Sequence, residues 1–236
     1  MKPGRSANAG NGANAVIVAF VSQKGGAGKT TACVNVAAAY TEAGLPAGVI
    51  DADPQESAAA WARTGENMGH GPGWLAGSVL PVAATDPARM RAAIERVERA
   101  GGKRILIDCP PSFAKPALAA AALAHVVVIP CGPSTLDLFA AASAKALVEK
   151  AQAERGGLPR VLFLPTLASS SRLGRELLEA LGDMGGAGVL PPMRRQDAYT
   201  DATSRGRTVI ETAPTSAAAA DCRAIMAAIE RQGVRR

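Results

Sequence analysis

Aromatic side chains are nearly absent from this chain: two Trp, two Tyr and four Phe among 236 residues, or 3%. A core without large rings has to be filled by Ala, Val, Ile and Leu, which suits strands covered by helices on both faces. Histidine occurs only at His70 and His125, and the four cysteines, Cys33, Cys109, Cys131 and Cys222, form no Cys-x-x-Cys pair. The usual zinc-ligand spacings and a paired redox motif are therefore excluded. The cysteines read as buried, reduced thiols of a cytosolic protein. No run of eighteen uncharged apolar residues occurs, so no membrane span is expected. Residues 1–14, MKPGRSANAGNGAN, lack the apolar segment of a signal peptide and read as a flexible tail.

What remains is an alternation of apolar strands and helical segments. Strands are expected at Ala15–Ser22, Ala47–Asp53, Ser78–Ala83, Lys103–Pro111, His125–Pro130 and Arg160–Thr166, with a short one in GVLPP before Met193. Helices are expected between them. One starts at Pro54, one at Asp86-Pro87, and one is opened by Ser134-x-x-Asp137. Residues Gly65–Gly77 and the basic stretch after Met193 read as loop and turn, and Pro214–Gln232 as a closing helix. Continuous apolar strands alternating with helices specify an α/β fold: a mostly parallel, twisted sheet covered on both faces, one domain over residues 15–236, with ligands beyond the carboxyl ends of the strands.

The chemistry begins at SQKGGAGKTT, Ser22–Thr31, between a strand and a helix. Gly25, Gly26, Ala27 and Gly28 let backbone N–H groups crowd around phosphate oxygens, and the helix amino terminus adds partial positive charge. Lys29 would reach the β- and γ-phosphates, Thr30 would place its hydroxyl on Mg²⁺, and Thr31 completes the loop. Lys24 is a second lysine that this arrangement does not require. It reads either as a solvated surface cation or as a group that reaches the nucleotide of a facing subunit.

KGGAGKTT is similar to the deviant Walker A motif of the ParA/MinD family of ATPases, where the first lysine crosses a dimer interface. The resemblance assigns that role to Lys24. VIDADPQESAAAW resembles the family's second motif and implies that Asp53 orients the attacking water while Asp51 supports Mg²⁺ through water. ILIDCPPS resembles a Walker B segment, with Asp108 holding a magnesium-bound water. VLPPMRRQDAYTDATSRGRTVIE resembles the stretch that flanks adenine, placing Pro191 and Met193 near the base, although Pro192 and Met193 replace the usual arginine and asparagine. The implied activity is slow, partner-stimulated ATP hydrolysis with ATP and Mg²⁺ as cofactors.

The family divides by partner, and the net charge of +6 favours an acidic one. From Arg155 onward there are twelve Arg against eight Asp plus Glu. Arg194, Arg195, Arg205 and Arg207 are the candidate DNA contacts, with Arg223, Arg231, Arg235 and Arg236 as the next set. Ile225, Met226 and Ile229 form a stripe that reads as core rather than as a membrane anchor. The short ParA type is therefore implied: a cytoplasmic, nucleoid-associated ATPase that dimerises on ATP, binds DNA non-specifically and answers to a small adaptor or ParB-like activator, with no stable membrane association. An ATP-switched regulator or assembly factor acting on a protein without DNA, and a MinD-like membrane-positioning ATPase, stay open.

Overall fold

Alternation of side chains along each strand places successive apolar residues on opposite faces of a sheet. In β1 (Val16–Phe20), Val18 and Phe20 enter one core, while Ile17 and Ala19 enter the other. The computed structural model describes residues 15–67, 73–82, 87–111, 115–168 and 172–234. The amino-terminal tail, His70, the Asp86 cap, Arg235 and Arg236 lie outside the described residues.

The remaining elements in chain order are α1 (Lys29–Glu42), β2 (Ala47–Asp51), α2 (Ser57–Asn67), α3 (Trp74–Ser78), β3 (Val79–Pro81), α4 (Pro87–Arg99) and β4 (Arg104–Asp108). There follow α5 (Lys115–Leu123), β5 (Val126–Cys131), α6 (Thr135–Glu154), β6 (Arg160–Ala168), α7 (Arg172–Asp183), β7 (Gly188–Val189) and β8 (Met193–Arg194). The chain closes with α8 (Asp197–Ser204), α9 (Val209–Thr212) and α10 (Ala217–Ile229), which runs into a π-helical turn over Glu230–Val234.

The strands pair in parallel in the order β3-β2-β4-β1-β5-β6-β7, with β8 added beside the end of β6. This is the expected doubly covered parallel sheet. One face carries a core against α1, α2 and α10, and the other a core against α4 to α7. Residues Ala32–Tyr40 of α1 are buried throughout, because alanine lets that helix lie close to both the sheet and α10.

Register explains why distant motifs meet. Phe20 of β1, Asp108 of β4 and Asp51 of β2 are partners in one row across adjacent strands. The phosphate loop leaves β1 from that row, so both aspartates stand beside it.

Three local expectations change. Helix α2 begins at Ser57 rather than Pro54, because the Asp53 carbonyl and carboxylate bind the N–H groups of Glu56 and Gln55 and hold a turn. The segment Gly65–Gly77 is partly helical, contributing the end of α2 and most of α3. The basic stretch after Met193 is not a run of turns but contains α8 and α9. The stripe on α10 packs inward, with Ile225 and Ile229 buried.

Candidate functional site

The loop from β1 to α1 turns through left-handed backbone at Gly26 (φ +76°) and Gly28 (φ +80°), which glycine adopts at little cost. Lys29, the first residue of α1, is 7% exposed. Thr30 Oγ1 donates to Asp108 Oδ2 at 2.6 Å. Asp108 is wholly buried, and its Oδ1 has no hydrogen-bond partner among the described residues. Burial pushes the Asp108 carboxyl up to about 7; Lys29 and Thr30 pull it back, while Asp51 and Asp53 add repulsion.

Asp51 and Asp53 lie on the adjoining turn. Asp51 Oδ1 accepts the N–H of Asp53 at 3.2 Å, and its Oδ2 accepts the N–H of Ala59 at 2.9 Å. Asp51 thus closes the first turn of α2 from eight residues upstream. Its carboxyl is raised, by burial first, with those amide bonds opposing. Asp53 is 8% exposed and accepts the N–H of Gln55 at 2.9 Å.

These residues fit a hydrated magnesium ion. The buried Lys29 acts on Asp108, with Asp51 and Asp53 close enough to add repulsion, and Asp108 Oδ1 is a buried acceptor in need of a donor among the described residues. Thr30, with its proton engaged by Asp108, keeps lone pairs for a cation. No group of three or more His, Cys, Asp or Glu among the described residues could hold a metal alone. Few protein ligands supplemented by waters and phosphate is the coordination magnesium favours.

Lys24 is not free within the subunit. Its Nζ lies 2.8 Å from Asp137 Oδ1 and 3.4 Å from Ser134 Oγ. Ser134 and Asp137 form the capping box of α6, so the signal that opens this helix also holds the lysine. Leu136 and Phe139 project beside it, 69% and 65% exposed. Burial alone would raise the Asp137 carboxyl, but Lys24 and Ser134 outweigh it and hold it below its ordinary value. A lowered folded pKa stabilises the native state above the unfolded value of about 4, and the contribution is lost as pH falls through the folded pKa. Asp137→Asn is therefore expected to cost about 1 kcal/mol near neutrality. The gap between the two urea midpoints should close in acid; a gap unchanged down to the acid limb would refute the assignment.

A cavity of about 270 Å³ adjoins the loop, bordered by Gly28, Thr31, Thr166, Met193 and the first turn of α8. Met193 lines it, whereas Pro191 is half-buried in the link before β8 and outside the lining. Thr166, Gln196, Asp197 and Tyr199 were not singled out from sequence. Thr166 stands at the carboxyl end of the apolar run RVLFLPT, the place where ligands gather in parallel sheets. Its Oγ1 is buried without a partner among the described residues.

The candidate DNA residues do not form one open patch. Arg194 forks onto Asp221 through Nε and Nη2, and its N–H binds the same carboxylate. Arg207 pairs with Glu211 at 3.2 Å. Arg195 is exposed but borders the cavity, and Arg205 is exposed at the end of α8. In the second set, Arg223 forks onto Glu42 at 2.7 Å, and Arg231 is exposed.

The family model of the CobQ/CobB/MinD/ParA nucleotide-binding domain matches residues 18–209. The maintenance of carboxysome distribution protein A of Halothiobacillus neapolitanus is 27% identical over 211 residues, covering 88% of this chain and 92% of that protein. The chromosome-partitioning ATPase Soj of Thermus thermophilus is 29% identical over 225 residues, covering 84% and 89%. Among solved structures, apo McdA from Cyanothece superposes with a TM-score of 0.74 at 16% identity, over 91% of this chain and 99% of that one.

Proposed function

The chain belongs to the CobQ/CobB/MinD/ParA nucleotide-binding family, and from that premise we propose that it is a positioning ATPase of the ParA type, switched by ATP between a monomer and a dimer that holds DNA. One observation carries this reading. The lysine that a simple phosphate loop does not need, Lys24, stands at the rim of the site, bound by an ion pair that can be exchanged for another anion.

Lys29 and the loop amides would bind the phosphates, Thr30 would ligate Mg²⁺ and Asp108 would hold a magnesium-bound water; the ion, when bound, would supply positive charge against the β- and γ-phosphates. Asp53 orients the attacking water. Asp51, with both oxygens engaged by backbone amides, fixes that turn and contributes to the metal's outer shell. Lys24 leaves Asp137 to meet the partner subunit's nucleotide. Thr166, Met193 and the start of α8 receive the base. An adaptor acting at the dimer would stimulate hydrolysis and release the DNA; the relatives' names suggest a chromosome or a protein body as cargo.

DNA binding by a positioning ATPase needs no base readout, since phosphate contacts alone supply non-specific affinity. Dimerisation doubles the arginines facing one duplex, so a weak patch becomes useful through effective concentration. Arg205 is the leading contact of the four, because Arg194 and Arg207 are paired and Arg195 borders the cavity. Arg205→Glu is expected to leave ATP affinity unchanged, weaken binding to every duplex alike and lower the salt slope by about one per lost contact. Wild-type anisotropy across a salt titration would move the interface to the Arg223–Arg231 end.

A second reading is favoured by the exposed Leu136 and Phe139 beside Lys24: the same switch acting on a protein target without DNA. Equal duplex binding in the ATP and ADP states, or none, selects it. As for membranes, no described helix is long and apolar enough to cross one.

A further inference from the structure

Helix α2 is tied at its start to Asp51, through the N–H of Ala59, and ends against the turn between α8 and α9. There Gly65 and Gly206 pack backbone on backbone. A Cβ on Gly206, which sits at φ +63°, would lie 1.9 Å from the nitrogen of Gly65 and 2.3 Å from its Cα. One helical turn earlier, Trp61, 4% exposed, donates its indole N–H to the carbonyl of Arg207 at 3.0 Å.

A second element reaches the same turn from the phosphate loop. Asn35, wholly buried in α1, donates through Nδ2 to the carbonyl of Thr31 at 2.8 Å, and its Oδ1 accepts the N–H of Val209 at 2.9 Å. A buried amide is costly unless both ends are bonded. Asn35 meets that condition only by joining α1 to the first residue of α9. The third member is α8 itself, which begins on the cavity beside Gly28 and ends at Arg205.

We propose that this joint makes the Arg205–Arg207 turn a reporter of the nucleotide, carrying movements of the Asp51–Asp53 turn and of α1 to the face that meets a polyanion. The contact between Gly65 and Gly206 has no slack, so a shift of α2 must move Gly206 or open the contact. Asn35 applies the same constraint from α1. The ligand couples to the turn only as far as it favours one arrangement of these elements. The inference rests on the DNA reading for the identity of the polyanion, but not for the movement.

Hydrogen exchange over residues 203–212 of the full chain, with Mg·ADP and with a non-hydrolysable Mg·ATP analogue, tests it. Wild type is expected to show different uptake in the two states. Trp61→Phe keeps most of the ring and removes the donor; it should bind nucleotide as wild type does yet lose most of that difference. Gly206→Ala forces the contact apart and should act the same way, and Trp61→Phe decides if that variant does not fold. The ATP-to-ADP ratio of affinities for mixed-sequence duplex should fall about threefold or more in Trp61→Phe, as loss of one such hydrogen bond allows. Equal uptake in the two states of wild type, or an undiminished difference in Trp61→Phe, overturns the joint. If wild type binds no duplex in either state, the DNA reading fails, while the exchange difference still decides the joint.

Discussion

Lys29→Ala is expected to weaken ATP binding by about 100-fold or more, because the variant removes a buried cation from a site whose other charges are anionic. Lys29 is 7% exposed and lies against Asp108, with Asp51 and Asp53 nearby. Without it, the phosphates meet three carboxylates and only the loop amides. The variant should still fold, since burial already favours the neutral form of Asp108, which can take up a proton once Lys29 is gone. Titration calorimetry with Mg·ATP reads the effect. Undiminished affinity in a folded Lys29→Ala protein would remove the loop from the account.

The second large effect concerns Asp53. Its carboxylate sits on the turn that leads from the strand row to α2, held by the N–H of Gln55 rather than consumed as a helix cap. Asp53→Ala should bind ATP and dimerise, yet hydrolyse about 100-fold more slowly or worse, as loss of a water-orienting base does. The ATP dimer should therefore accumulate. Lys24→Ala has the opposite signature: ATP binding in the monomer, with dimerisation, hydrolysis or both lost. Single-turnover hydrolysis beside a nucleotide-binding assay separates the two. A monomeric Asp53 variant next to a dimeric Lys24 variant would reverse the roles.

Much of this was legible before any coordinates. The apolar strands announced themselves as runs of Val, Ile and Leu, and their alternation with helices fixed a parallel sheet. SQKGGAGKTT and IDADPQ mark the glycine turn and the aspartate turn, because each combines its glycines or carboxylates with a strand on one side and a helix on the other. Ser134-x-x-Asp137 marked the start of α6 correctly. What stayed hidden were contacts across the sequence. Lys24 meets a capping box over a hundred residues away, and nothing local to either segment records that pairing. The sequence offers Asp51 as a carboxylate on the metal side, and the fold adds that its two oxygens also accept the amides of Asp53 and Ala59. Helix α8 is short and rich in Thr, Ser and Asp, and α9 is a single turn, so neither shows an apolar helical period. The arginines there formed a patch on paper, whereas Asp221 and Glu211 claim two of them in space.

The central claim is an ATP-driven change in assembly that depends on Lys24. Light scattering of wild type and Lys24→Ala with Mg·ATP and with Mg·ADP tests it most directly. A dimer is expected only for wild type with ATP, and a monomer in the other three samples. A mass that is the same for wild type in both nucleotides, or a Lys24→Ala protein that dimerises on ATP as wild type does, would contradict it.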